Sequence, residues 1–552
     1  MPSQFLTSEK PKKTVVFLPL DAHGHTNAML SLAGELKLLN YRTIFITNTT
    51  ETPKLYDHEL ILLDSKKEDD KSQSDSENVC CEQDVFLGAK LFDHDWDENE
   101  RLIFDVDLAD GAELDEITYR NSIKNFKLWA RVWNKIGNTD AYLEKLLIDI
   151  RPDLVVTELL PIRPALLRLA DNSYARKVAG WKNGLRWMQL ASLAPLWLHH
   201  FGYLAHKQNS TNRSDQFVPP PFFGLPIKHR LDDRDYKVQS DRFFSMLRSC
   251  GVIRAVVDLA KLALMENFTE ESISDSQLAQ LFINESQWLN VYMYPEELDY
   301  EQDFECKLDK SRWLRVDSLV RPTSSRSKRL DYVSEQMLAD LVSWQDLTKS
   351  DPTSKVIYVS LGTVVSENFG VMEELVQQVF TCLEKCKHWR IAIALGKKNA
   401  QLFEKFKDQF DHWQNKERRL IANGWWPQPE LFKRHLADAC VVHGGNNTTS
   451  ELFHYAPVPA LVVVPGIGDQ LDNARRLAEL DLAVTLPVGR LLRDDPQIHK
   501  ETVLLDCLVR AIRMHDSSQA EGKFKWGRPR RDARYCAEVV SARLEKETLG
   551  SS

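Results

Sequence analysis

Two consecutive α/β domains, each a doubly wound parallel sheet, are the fold class this sequence predicts, and three observations carry the prediction. The chain has 552 residues, 43% of them hydrophobic, enough for more than one packed core. Short, nearly continuous apolar runs alternate with helical segments, which is the pattern of strands buried on both faces and joined by helical crossovers. A polar stretch, RPTSSRSKR at 321–329, separates two such series and has the character of an interdomain linker.

The first series begins with TVVFLPL (14–20), a helical stretch NAMLSLAGELKLL (27–39), YRTIFIT (41–47) and LILLD (60–64). Residues 65 to about 115, with KKEDDKSQSDSENVCCEQD and DHDWDENE, are too polar and acidic to bury a core, so a surface insertion is expected. A helical region runs to about Ile150, and PDLVVTE (152–158) restores the strand pattern, with Asp153 capping its start and IRPALLRLA as the returning helix. From Lys177 to about Arg254 the chain is rich in aromatics and proline, including Trp181, Trp187, Trp197, His199, His200, Phe201 and the run from Pro219 to Phe223. That composition predicts an irregular, pocket-forming region rather than a sheet. Helical 254–283 and one strand, WLNVYMYP (288–295), complete the first half. The second half offers six apolar strands: VIYVSLG (356–362), RIAIALG (390–396), RRLIANGW (418–425), DACVVHG (438–444), ALVVVPG (460–466) and LAVTLP (482–487).

Composition removes several function classes. With 71 basic against 80 acidic residues, a net charge of -9 and a pI near 6.0, binding through phosphate neutralisation of nucleic acid is disfavoured. Nine scattered cysteines without a C-x-x-C pair indicate neither a disulfide framework nor a structural zinc site. The first apolar run is short and is ended by Asp21, unlike a signal peptide, and no stretch approaches the roughly 20 apolar residues of a spanning helix. The expectation is a cytoplasmic protein with no membrane span, which also keeps glycans from the sequons at Asn446 and Asn447.

The segment 425–473 is the richest in chemistry. Gly444 and Gly445 follow an apolar strand and precede a helix whose first turn holds Asn447, Thr448 and Thr449. Glycines admit close backbone approach, and a helix start presents unpaired N–H groups and partial positive charge, so a pyrophosphate fits there. Trp425 or Trp426 offers a face for a nucleobase, Glu451 can reach a ribose diol, and Asp469 with Gln470 follows a strand end and suits sugar hydroxyls. His25, in DAHGHTNAML after the first strand, is expected in a strand-to-helix loop facing a cleft, where a near-neutral pKa suits a general base; His23 is its neighbour and competitor. GIGDQL (466–471) lacks the third glycine of a dinucleotide fingerprint, ALGKKN (394–399) is not a P-loop, and G-x-S-x-G is absent. The acidic triplets at 93–95 and 105–107 are what so acidic a stretch contains by chance, so no metal role is assigned to them.

Trp-x-Pro-Gln from Trp425, the His443 loop, Glu451 and Asp-Gln-x-x-Asn-Ala from Asp469 occur in the order and near the spacing of the donor signature of UDP-glycosyltransferases, which this chain resembles over nearly its whole length. The resemblance implies the two-domain GT-B fold: residues 1–320 as the acceptor-binding domain, 321–355 as linker and entry, 356–515 as the UDP-sugar-binding domain and 516–552 as a helical tail. It implies that Trp425 stacks on uracil with Trp426 beside it, that Gln428 and Glu451 hold the ribose, and that His443, Gly445, Asn447 and Thr448 hold the phosphates. Ser360 and Thr363 would make a second phosphate contact, and Asp469 and Gln470 would read the sugar. It selects His25, behind Gly24, as the catalytic base, with the strand-ending acid as its partner; that acid is an aspartate in the family and Glu158 here. The implied reaction is inverting transfer of a hexose, glucose before glucuronic acid, to a hydroxyl of a small lipophilic acceptor such as a xenobiotic or secondary metabolite. No metal or resident cofactor is implied, the UDP-sugar being a co-substrate. A nucleotide-sugar-binding protein without transferase activity and, behind it, a nicotinamide-dependent oxidoreductase are the alternatives.

Overall fold

In this computed structural model the described residues are 13–19, 23–47, 59–62, 114–159, 163–192, 195–206, 218–225, 233–263, 269–270, 273–304, 308–320, 332–351, 353–366, 368–396, 400–492, 502–520 and 530–549. The acidic stretch 65–113, its triplets and the linker 321–329 lie outside them.

The first sheet contains β1 (Thr14–Leu18), β2 (Arg42–Thr47), β3 (Glu59–Leu62), β4 (Leu154–Glu158), β5 (Trp187–Ala191), β6 (Leu289–Met293) and β7 (Trp313–Val316). All neighbours are parallel, in the order β3-β2-β1-β4-β5-β6-β7. The second sheet holds β8 (Lys355–Ser360), β9 (Trp389–Ala394), β10 (Leu420–Asn423), β11 (Ala439–Val442), β12 (Ala460–Val463) and β13 (Ala483–Thr485). It too is wholly parallel, in the order β10-β9-β8-β11-β12-β13. Each sheet reverses its winding once, between β1 and β4 in the first and between β8 and β11 in the second, and ligands of open α/β sheets bind beyond the strand ends at such a reversal.

Central strands such as β4, β5, β6, β11 and β12 are buried along their whole length, which is why they read as apolar runs. Asp153 caps the first sheet as expected, its Oδ2 accepting the Thr14 N–H at 2.8 Å. Among the described residues of 177–254 are β5 and the helices Leu196–His206 and Asp233–Ser249, where an irregular region was expected. Its aromatics are core. Trp197, Phe201 and His200 are fully buried, and the Trp197 ring lies 4.4 Å from that of Phe201 and 5.2 Å from that of Phe222.

After the helix Val503–Ala520 the chain crosses back to the first domain. Asp317 and Arg531 pair backbone to backbone at 2.7 Å, and the Arg530 guanidinium binds Glu297 through both carboxylate oxygens at 2.8 and 2.9 Å. The last helix, Ala533–Leu549, seals the helix His23–Leu38 with Ala533, Cys536, Ala537, Val540 and Leu544, and Tyr41 shares a 2.9 Å hydrogen bond with Ser541. Among the described residues no helix is long and apolar enough to cross a membrane.

Candidate functional site

Loops after β8, β11 and β12 converge at the second sheet's reversal. Ser360 ends β8, and the following Gly362–Val365 forms one short helix rather than an open turn. Thr363 belongs to that helix, but its side chain lies outside the described residues. His443 follows β11, and its ring is sandwiched by glycines: a Cβ on Gly362 would sit 2.5 Å from the imidazole, and one on Gly445 would strike its Nε2. Gly362 is also left-handed (φ 68°), so no other residue fits that place without strain. Burial lowers the His443 pKa to about 4, which leaves the ring neutral near pH 7, and its Nδ1 is buried without a hydrogen-bond partner among the described residues.

The helix Asn446–His454 starts directly behind this loop, with Gly445 at its N-cap and no side-chain cap bond. Its first N–H groups and positive dipole end therefore point into the site. Thr448 is buried and Asn447 half-buried. Gln428 opens the helix Gln428–Lys433 and draws together residues far apart in sequence. Its Nε2 donates to Glu451 Oε2 at 2.7 Å and to Thr448 Oγ1 at 3.3 Å, while its Oε1 accepts from the Tyr358 hydroxyl at 3.3 Å. Desolvation raises the Glu451 pKa to about 7, with the Gln428 hydrogen bond pulling the other way.

The two tryptophans separate cleanly. Trp425 is 50% exposed, whereas Trp426 is 2% exposed and donates its Nε1–H to Ile393 O at 3.1 Å. Trp426 is therefore a core residue with no free ring face, which corrects its place among the donor-binding candidates. Gln470 also departs from expectation. Its Oε1 accepts the N–H groups of Gly466 and Ile467 at 2.9 and 3.2 Å, so it shapes its own loop at the start of the helix Asp469–Glu479, where Asp469 is half-buried.

Across the cleft, His25 lies inside the first turn of the helix His23–Leu38 rather than in a loop, because that helix begins two residues earlier than His25; its side chain lies outside the described residues. Glu158 ends β4 and is buried, its Oε1 accepting from Ser192 N–H at 3.1 Å and Ser192 Oγ at 2.9 Å. Sequence reasoning missed Asn446. Its buried Nδ2 donates to Ser192 O at 2.8 Å and Met293 O at 2.9 Å, at the ends of β5 and β6, so the start of the second-domain helix touches the first sheet beside Glu158. Only its position ahead of Asn447 in the loop hinted at a role.

These features define a GT-B type of fold, two doubly wound and wholly parallel α/β domains. The glycotransferase of kitacinnamycin has a similar fold, with a TM-score of 0.50 at 12% identity over 97% of this chain and 100% of that one. Residues 343–518, within the second domain, match the family described as UDP-glucoronosyl and UDP-glucosyl transferase. Curated relatives include UDP-glycosyltransferase 1 of Barbarea vulgaris, 29% identical over 26% of this chain and 27% of that protein. UDP-glucuronosyltransferase 1A8 of Rattus norvegicus is 28% identical over 27% of this chain and 24% of the rat protein. The chain thus matches about a quarter of the length of these relatives.

Two outcomes follow from the site's burial pattern. Trp426→Ala should cost about 3–5 kcal/mol in denaturant unfolding while Trp425→Ala changes stability by under about 0.5 kcal/mol; equal effects would contradict the assignment of one ring to the core and the other to the surface. Glu451 has its folded pKa raised from 4.5 to about 7, so its stabilising contribution is complete below pH 4.5 and is lost as pH rises through 7. Glu451→Gln should therefore gain stability over wild type between pH 5 and 8, read from thermal melts; a constant difference across that range would refute the burial effect.

Proposed function

We propose that the protein transfers a hexose from a UDP-sugar to a hydroxyl of a small acceptor, with inversion at the anomeric carbon and without a metal. The observation that carries this reading is the hydrogen-bonded group of Gln428, Thr448 and Glu451 at an uncapped helix start beside the His443 glycine loop. It supplies, at one sheet reversal, acceptors for a ribose diol and N–H donors for a diphosphate. Trp425, exposed after β10, is the ring that stacks on the uracil. Asp469 faces the hexose, and Ser360 and Thr363 assist the phosphates.

In the reaction His25 removes the acceptor hydroxyl proton and the oxygen forms its bond to the anomeric carbon. The bond from that carbon to the UDP oxygen breaks, and UDP leaves with the electron pair. Charge developing on the diphosphate meets the N–H groups at the start of the helix Asn446–His454. Glu158 steadies the imidazolium. Glucose as the sugar, a lipophilic acceptor of the xenobiotic or secondary-metabolite kind and a cytoplasmic location complete the reading. The assignment of His25 rests on the family likeness, and that of Glu158 on the same likeness and on its buried place at the end of β4.

The test is incubation with UDP-glucose, UDP-glucuronic acid and UDP-GlcNAc against phenols and flavonoids, read by mass spectrometry, with thermal shifts for UDP and NADPH. A hexosylated product is expected, together with a UDP shift that Trp425→Ala weakens roughly 10- to 100-fold in affinity, and His25→Ala should abolish transfer while sparing UDP binding. UDP binding without transfer to any acceptor would reduce the protein to a nucleotide-sugar binder, and a shift with NADPH alone would make it an oxidoreductase.

A further inference from the structure

The helix Asp469–Glu479 begins at the residues assigned to the hexose, and one turn further on it grips the first domain with three buried side chains. Asp472 is 2% exposed; its Oδ2 accepts the Phe222 N–H at 2.7 Å and its Oδ1 the Gly224 N–H at 3.1 Å. The two N–H groups meet opposite oxygens of one buried carboxyl group, and this pairing fixes the loop against the helix. The loop adopts a costly conformation to make it: Phe222 is left-handed (φ 71°), as is Gly224 (φ 60°). A Cβ on Gly224 would meet Leu471 O at 3.1 Å, so the loop lies directly against the helix backbone.

The neighbouring side chains reinforce the grip on other partners. Asn473 donates to Gly444 O in the phosphate loop at 2.8 Å and accepts from the Tyr294 hydroxyl of the first domain at 2.9 Å. Arg476 donates to Leu298 O and Asp299 O, both at 2.8 Å, and stacks 4.8 Å from the Tyr300 ring. Asp472 accepts two N–H groups of the loop at 222–224, and that loop also carries the Phe222 ring into the aromatic core, 5.5 Å from Trp129 and 5.2 Å from Trp197.

We propose that Asp472 is a positioning residue that fixes the hexose-reading turn of its helix against the first-domain loop 221–224, and so sets the sugar relative to the acceptor. The proposal rests on the donor-site reading above, but its structural half does not. Asp472 touches neither the nucleotide nor the reacting atoms. Its loss should leave nucleotide binding intact, misplace the two substrates and admit water to the cleft.

Asp472→Asn keeps the volume but replaces one acceptor oxygen with a donor that opposes an N–H of the loop. Gly224→Ala disturbs the same contact from the other side. For each full-length variant, hydrogen exchange of residues 218–225, UDP affinity by calorimetry, kcat and the ratio of UDP-glucose hydrolysis to transfer are measured. The expected result is exchange in that loop at least tenfold faster, UDP affinity within about twofold, kcat down at least tenfold and a raised hydrolysis ratio. A variant that merely loses folded protein lowers transfer and hydrolysis together, and that result overturns the proposal, as does unchanged exchange with unchanged kcat. Should Asp472→Asn not fold, Gly224→Ala decides on the same readings. Should wild type bind no UDP, the donor-site reading fails while the exchange contrast still reports whether Asp472 holds the loop; an unaltered loop then overturns the tether itself.

Discussion

The carboxyl ends of the two parallel sheets meet at the amide of Asn446, and the rest of the site is arranged around that contact. A buried amide must have its N–H groups paired, and the backbone carbonyls that finish a strand need donors in turn. Asn446 meets both needs at once by donating to Ser192 O and Met293 O. The start of a second-domain helix is thereby held opposite the ends of β5 and β6. Tyr294 to Asn473, Arg476 to Leu298 and Asp299, and Ser318 to His454 at 2.6 Å extend the polar seam. Interfaces between domains of one chain are commonly of this polar kind, able to part and re-form.

Burial of the donor side changes what its ionisable groups are. His443 is held neutral, with its pKa near 4, and Glu451 is poised near 7 because desolvation disfavours the carboxylate. Positive potential in this loop therefore comes from the helix start, where N–H groups are fixed by the backbone and need no reorganisation. Glycines 362 and 445 are required on either side of the imidazole, so the same two positions that let the backbone approach a ligand also create the slot for the ring.

How legible this was in the sequence depended on burial. All six strands of the second sheet could be read directly because each carries an apolar run, and so could β1, β2, β3, β4 and β6. β5 was hidden by the buried Gln189, whose amide is used on Asn284 O at 2.5 Å, and by the aromatic and proline-rich chain after it. β7 was hidden by Arg315, which sits among Glu296, Asp299 and Asp317 on the sheet edge. The family likeness grouped Gln428, Thr448 and Glu451, and in the structure these side chains hydrogen-bond to one another. The Trp-x-Pro-Gln spacing pointed to Trp425, but residue type alone did not separate it from Trp426, since adjacent tryptophans differ only in which way the chain turns. Asn446 and Asp472 were invisible for a different reason: their partners are backbone groups 153 to 254 residues away, which leave no side-chain signature.

Glu158 shows how a local departure can be absorbed by this interface. A glutamate in place of aspartate brings one more rotatable bond to be fixed, an entropic cost on the order of 0.5 kcal/mol. Ser192 fixes it through two bonds to one carboxylate oxygen, from its N–H and from its hydroxyl. The carbonyl of the same serine is an acceptor for Asn446. The order of the acid at the end of β4 is therefore linked, through one residue, to whether the second domain is seated. A chain with aspartate at 158 would bring the carboxylate back toward its own strand and lose reach to Ser192, and with it this link between domain seating and the acid at the end of β4.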